Sequence, residues 1–162
     1  MPLDKDIEKF LDDNGVTADP PYSSFEPVEL RKKFNENFEK KNKPEPITVE
    51  DIEEYYIQGT QGSLKCRVYY PSKKNKALFP ALMYFHGGGF VIRDNMDIYD
   101  QTCRMMCAGA QCVVVAVDFR LAPEHPFPAA PEDCYKATCW VAQHAKELHI
   151  DLNCFGVWGE SC

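Results

Sequence analysis

No apolar run in this 162-residue chain exceeds six residues. The longest, Cys-Val-Val-Val-Ala-Val at 112–117, falls far short of the roughly 20 apolar residues that span a bilayer as a helix, so no transmembrane segment is expected. Basic charge is also scarce. The 18 Lys and Arg residues face 25 Asp and Glu, a net charge of −7. A surface of that sign repels phosphate backbones and anionic headgroups, which argues against nucleic acid or a polybasic membrane contact as partner. The opening Met1-Pro2-Leu3-Asp4-Lys5-Asp6 has no apolar core and no small-residue cleavage site, and no Asn-x-Ser/Thr sequon occurs. No two of the eight cysteines have Cys-x-x-Cys spacing. Without an export signal, their even number is weak support for a disulfide framework. Cys103 and Cys107, four apart, can share a helix face, but zinc would need further ligands from elsewhere. The expectation is therefore reduced, largely buried thiols in a cytoplasmic protein, with no metal site.

What is present fits one ordinary domain with a real core. At 44% hydrophobic and 27% charged the composition is globular, and the length is too short for two typical domains. Residues 1–45 differ from the rest. Ile7, Phe10 and Leu11 recur at helical spacing, and Asn14-Gly15 is a stop signal. After a Pro/Ser loop at 19–24, a second amphipathic helix starts at Pro27, with Leu30, Phe34 and Phe38 in one stripe. That stripe either packs on the body of the protein or forms a lid over a site. Residues 40–46 read as a Pro-broken linker.

Residues 46–162 read as α/β. Strands are expected at 47–58 and 64–70 as a hairpin about Gly59–Gly62, with a basic turn at 72–77. Further strands are expected at 79–85, at 112–117 as a central parallel strand, and at 154–158. Helices at 97–109 and 128–149 alternate with them, which implies right-handed crossovers and a three-layer sandwich.

Two loops carry the chemistry. His86-Gly87-Gly88-Gly89-Phe90 directly follows an apolar strand. Consecutive glycines let the backbone approach a ligand and present amide N–H groups, the donors that stabilise an acyl-transfer oxyanion. A phosphate loop would add a Lys or a G-x-G-x-x-G frame, and neither is there. The second loop, Gly159-Glu160-Ser161-Cys162, follows another apolar strand and makes up the first four residues of G-x-S-x-G. That motif puts a serine on a sharp strand-to-helix turn with its hydroxyl exposed.

Together with Val117-Asp118-Phe119-Arg120-Leu121-Ala122-Pro123-Glu124-His125-Pro126-Phe127-Pro128-Ala129-Ala130 and Asp133, these loops resemble the hormone-sensitive-lipase-like branch of the α/β-hydrolases. That branch includes arylacetamide deacetylase-like and many bacterial and plant carboxylesterases. The opening helix is similar to the family's N-terminal cap. The resemblance implies a three-layer α/β-hydrolase sandwich, with residues 1–45 as a two-helix cap, acting on a small-molecule ester without metal or organic cofactor. It implies Ser161 as nucleophile, with the amides of Gly88, Gly89 and Cys162 as oxyanion hole. Gly87 would shape the turn and His86 would brace the loop rather than transfer protons. Arg120 and Glu124 would tie the loop after the fourth strand to its neighbours.

The chain departs from the family pattern in having Phe119 for Tyr, Glu160 for Asp and Cys162 for Ala. Triad partners in this fold follow the serine, yet only Cys162 follows Ser161, and all four histidines precede it. The chain therefore reads as the N-terminal half of a hydrolase, truncated after the nucleophile-elbow strand and weakly active or inactive by itself. Its last strand would have an open, partly apolar edge. Two alternatives remain open. One is a receptor-like member of the fold that binds a small ligand without catalysis. The other is a truncated product acting through a partner at the open edge.

Overall fold

The apolar run at 112–117 supplies the middle strand of a five-stranded sheet. The computed structural model describes residues 4–13, 24–40, 45–72 and 78–161. Its strands are β1 (Asp51–Gly59), β2 (Gly62–Tyr70), β3 (Phe79–Phe85), β4 (Val113–Asp118) and β5 (Ile150–Gly159), in spatial order β1-β2-β4-β3-β5. The helices are α1 (Lys5–Asp13), α2 (Pro27–Lys40), α3 (Asp100–Ala110) and α4 (Ala129–Gln143).

Strand β4 shows why the domain has three layers. Val113, Val115 and Val117 pack with Ala130, Ala137 and Val141 of α4. Val114 and Ala116 pack with Cys103 and Cys107 of α3. A strand apolar at every position can be stable only when covered on both faces, and each buried valine contributes about 1.5–3 kcal/mol. The two cysteines that share a helix face thus serve as small core residues. Cys66, Cys103, Cys107, Cys112, Cys134, Cys139 and Cys154 are all free.

Several boundaries and pairings differ from expectation. β4 is parallel to β3 but antiparallel to β2, because the β1–β2 hairpin attaches along its other side, so the central strand is not parallel to both neighbours. β1 begins at Asp51, where pairing with Tyr70 begins, rather than at 47. Ile47 is held instead by α3: its amide donates to Gln101 Oε1 at 3.2 Å, and its carbonyl accepts from Arg104 Nη1 at 3.2 Å. The helix expected from 97 is a short 3₁₀ turn (Met96–Ile98) followed by α3, with Asn95 Oδ1 accepting from the Asp97 amide at 2.9 Å. The helix expected to reach 149 stops at Gln143. A turn carrying His149 at φ +56° then feeds β5, which starts at Ile150 rather than 154. The Asn14-Gly15 stop lies outside the described residues. So do most of the 19–24 loop, the 40–46 linker and the 72–77 turn.

β5 pairs with β3 on one side only, at the sheet edge. Its Val157 and Trp158 are 64% and 48% exposed. On α1, Ile7 and Phe10 are largely exposed, so the apolar face of that helix is not buried against the sheet.

Candidate active site

The connection from β3 to β4 runs to one side of β3, and the connection from β4 to β5 returns to the other. β3 is thus the point where the winding of the sheet reverses, and ligands of open α/β sheets bind beyond the carboxyl ends of the strands at such a point. The His86 loop leaves that end of β3, and Glu160-Ser161 leaves the same end of β5. Phe85 pairs with Gly159, and the Glu160 amide donates to Phe85 O at 3.1 Å. Parallel pairing therefore brings together two loops that are more than seventy residues apart.

Each glycine of the loop has its own reason. A Cβ on Gly87 would lie 2.6 Å from Ser161 O and 3.3 Å from Ser161 N. A glycine at 87 therefore leaves room for the close approach of the serine backbone. Gly88 has φ +129°, and a Cβ there would meet Ile92 O at 2.7 Å. Its carbonyl accepts from the amides of Val91 (3.1 Å) and Ile92 (3.0 Å), which closes the turn. Gly89 has φ +60° with open space around it. Cys162 lies outside the described residues.

His86 is buried in a sandwich of rings, 4.9 Å from Tyr99 and 4.2 Å from Phe119, both nearly parallel to it. Its Nδ1 lies 2.8 Å from Gly87 O, which makes Nδ1 the protonated nitrogen of a neutral ring. Burial holds its pKa below the ordinary 6.5, and the bond to the Gly87 carbonyl works the other way. The unfolded chain therefore takes up this proton first as the pH falls. The stabilisation is full above about pH 6.5 and is lost toward the lower folded value. His86→Phe keeps the ring stack but cannot titrate. Its urea midpoint should fall less between pH 7 and pH 5 than that of the wild type, and equal falls would exclude His86 as the source.

The two loops open into a cavity of about 580 Å³. Gly87, Gly88, Gly89, Glu160 and Ser161 form one wall, and Phe25, Pro27, Leu30 and Phe34 form the other, with Val91, Ile92 and Arg93 between them. Of the apolar stripe on α2, Leu30 and Phe34 thus line the cavity, the arrangement a lid would have. Arg93, which periodicity and motifs did not single out, pairs with Glu160 at 3.1 Å and ties the segment after the glycines to the residue before Ser161.

Arg120 and Glu124, supports that the resemblance implied, are both paired. Arg120 Nε reaches Asp133 Oδ2 at 2.7 Å, and Glu124 takes both Nη atoms of Arg31 at 2.9 and 2.8 Å. Arg31 had no sequence signal, since a basic residue beside an apolar stripe looks like an ordinary solvent face. None of the four histidines lines the cavity. His86 is inside its stack, His125 sits behind the loop near Arg31 and Asp94, and His144 stacks on Trp140 with Nδ1 2.8 Å from the Trp140 carbonyl. His149 occupies the turn before β5.

Residues 82–162 match a protein-family model described as alpha/beta hydrolase fold. The chain is 48% identical to the esterase LipI of Mycobacterium tuberculosis over 106 residues, which is 65% of this chain and 33% of the relative. It is 32% identical to an arylesterase of Saccharolobus solfataricus over 162 residues, 99% of this chain and 51% of the relative. Among solved structures, an ester hydrolase from the metagenome of Lake Arreo, complexed with a bipyridine phosphonate derivative, aligns with a TM-score of 0.84 at 30% identity. A hyperthermophilic esterase from Pyrobaculum calidifontis aligns at 0.81 with 33% identity. Each alignment covers 99% of this chain and 50% of the other. The chain thus spans a third to a half of the length of these relatives.

Proposed function

As this chain belongs to the family with the α/β-hydrolase fold, we propose that it carries the nucleophile and oxyanion half of a serine carboxylic-ester hydrolase. The observation that carries this reading is the approach of Ser161 to Gly87, so close that only glycine fits. In the reaction, Ser161 Oγ attacks the ester carbonyl carbon and gives its proton to a general base. The negative oxygen is held by the amides of Gly88, Gly89 and Cys162. The alcohol leaves with that proton, and water then hydrolyses the acyl-serine to release the acid. His86 braces the glycine loop and takes no part in proton transfer. Residues 1–45 cap residues 46–162, and the apolar cavity wall of Phe25, Leu30 and Phe34 suits a short-to-medium acyl or aryl ester. The site is cytoplasmic, where the free thiols stay reduced. Among the described residues no helix is long and apolar enough to cross a membrane.

The general base comes from outside these 162 residues, since no histidine reaches the cavity. A second reading, in which the cavity binds a small apolar ligand without turning it over, rests on the apolar wall of Phe25, Leu30 and Phe34. A fluorophosphonate probe decides between them. Applied to the endogenous protein in a lysate of its source cells, it should modify Ser161, as located by peptide mass spectrometry. An unmodified Ser161, in a lysate whose other serine hydrolases react, would leave ligand binding as the function.

A further inference from the structure

Arg31 projects from α2 with a side chain only 12% exposed, and none of its four hydrogen bonds stays within its own helix. Nε donates to Val91 O at 2.6 Å and Nη2 to Ala122 O at 2.7 Å. Nη1 and Nη2 grip the two oxygens of Glu124 at 2.9 and 2.8 Å. Two segments, one 60 and the other 91 to 93 residues further along the chain, meet on one planar group.

The two carbonyls matter most. Val91 belongs to the turn whose amides close on Gly88 O. The Ala122 amide donates to Phe90 O at 2.8 Å, so a guanidinium holding Ala122 O secures Phe90 from behind. The turn needs outside support. Gly88, Gly89, Phe90 and Arg93 all have φ between +56° and +129°, and two of these are not glycine. Left-handed conformations at residues with a Cβ persist only where the surroundings over-determine them.

We propose that Arg31 is a positioning residue for the acyl-transfer site, holding residues 88–92 in the shape that aims the glycine amides and locking the α2 cap to that shape. Only the word acyl-transfer rests on the proposed function; the mechanical coupling does not. Arginine is required because its fork can satisfy two carbonyls and a carboxylate in one plane, which the compact ammonium of lysine cannot.

Amide hydrogen exchange on the full chain tests the coupling with Arg31→Met, Arg31→Lys and Glu124→Gln. Removing all four bonds of the guanidinium, the two to the Val91 and Ala122 carbonyls among them, should speed exchange at residues 88–92 by about tenfold or more in Arg31→Met, with β1, β2 and α3 unchanged. Arg31→Lys should recover part of the protection. Glu124→Gln keeps both carbonyl contacts and should change less than Arg31→Met. In the source cells, Arg31→Met should also lower the limiting rate of Ser161 labelling about tenfold, leaving the half-saturating probe concentration unchanged. Unchanged exchange at 88–92, an increase spread equally over β1, β2 and α3, or a Glu124→Gln effect as large as that of Arg31→Met would overturn the proposal. A wild type unlabelled at Ser161 would sink the esterase reading alone, because the exchange result decides the coupling independently.

Discussion

Gly88→Ala should cut the rate of Ser161 labelling, and of p-nitrophenyl ester hydrolysis, by about 10²–10³-fold, the scale expected when one oxyanion donor is lost. The added Cβ would stand 2.7 Å from Ile92 O and 2.9 Å from Ile92 Cγ1. The first contact is with backbone, so rotating a side chain cannot relieve it. Either Ile92 moves, breaking its bond and that of Val91 to the Gly88 carbonyl, or residue 88 gives up φ +129°. Both outcomes re-aim the amides of residues 88 and 89. Gly89→Ala is the control. Its φ of +60° lies in the left-handed well and its Cβ would meet nothing within 4 Å. It should cost only the intrinsic strain of about 1–2 kcal/mol and slow labelling less than tenfold. If the two variants react alike, the loop does not act through the geometry of its amides. Gly88→Ala reacting at the wild-type rate would remove Gly88 from the oxyanion site.

The contrast between these glycines marks how much could be read from the sequence. The placement of the two loops after apolar strands was legible, because strand composition and glycine runs are local signals. So was the layer order, whereas the tying role of Arg120 and Glu124 comes only with the family resemblance. The separate backbone demands on the three glycines are not local signals, however: Gly87 makes room for Ser161, Gly88 needs both room and a positive φ, and Gly89 needs only the φ. That difference depends on β5 lying beside β3, a pairing across more than seventy residues that no local pattern encodes. The ends of β1 and α4 differ from the sequence expectation for a related reason. Apolar composition continues past both boundaries, while tertiary hydrogen bonds from Gln101 and Arg104 and the left-handed His149 fix where each element begins or ends. Arg31 was invisible, since its partners lie far along the chain and its neighbours in α2 are charged. The aromatic stripe on α2 reads from sequence as packing or as a lid, and in the fold Leu30 and Phe34 line the cavity that the glycine loop also lines.

Asp133→Ala should lower stability by about 3–5 kcal/mol, the usual cost of removing one partner from a buried ion pair. The Asp133 side chain is only 2% exposed. It accepts from the Arg120 amide (3.1 Å), Arg120 Nε (2.7 Å), Arg120 Nη2 (2.9 Å) and Thr60 Oγ1 (3.3 Å). One carboxylate on α4 thereby fastens both the β1–β2 turn and the loop after β4. Without it, Arg120 keeps Thr60, the Ala129 carbonyl at 3.4 Å and a distant Glu132 at 4.0 Å, none of which replaces the two-pronged contact. A loss of this size is a large share of the roughly 5–15 kcal/mol that holds an ordinary domain together. The urea midpoint should fall on the order of 2 M. Asp133→Asn retains the shape and one acceptor oxygen and should lose about half as much. A shift below about 0.5 M for Asp133→Ala would mean that the pair is solvated in solution. The same loop carries Phe119, stacked on His86, and Ala122, bonded to Phe90, so it supports the glycine turn from beneath. Well below its midpoint, Asp133→Ala should still label at Ser161 within tenfold of the wild type, because Arg31 holds the carbonyls of Val91 and Ala122 independently. Gly88 would then act on rate with stability largely kept, and Asp133 on stability with rate largely kept. If Asp133→Ala instead loses labelling as fully as Gly88→Ala while still folded, the support of the turn passes through Arg120 rather than Arg31.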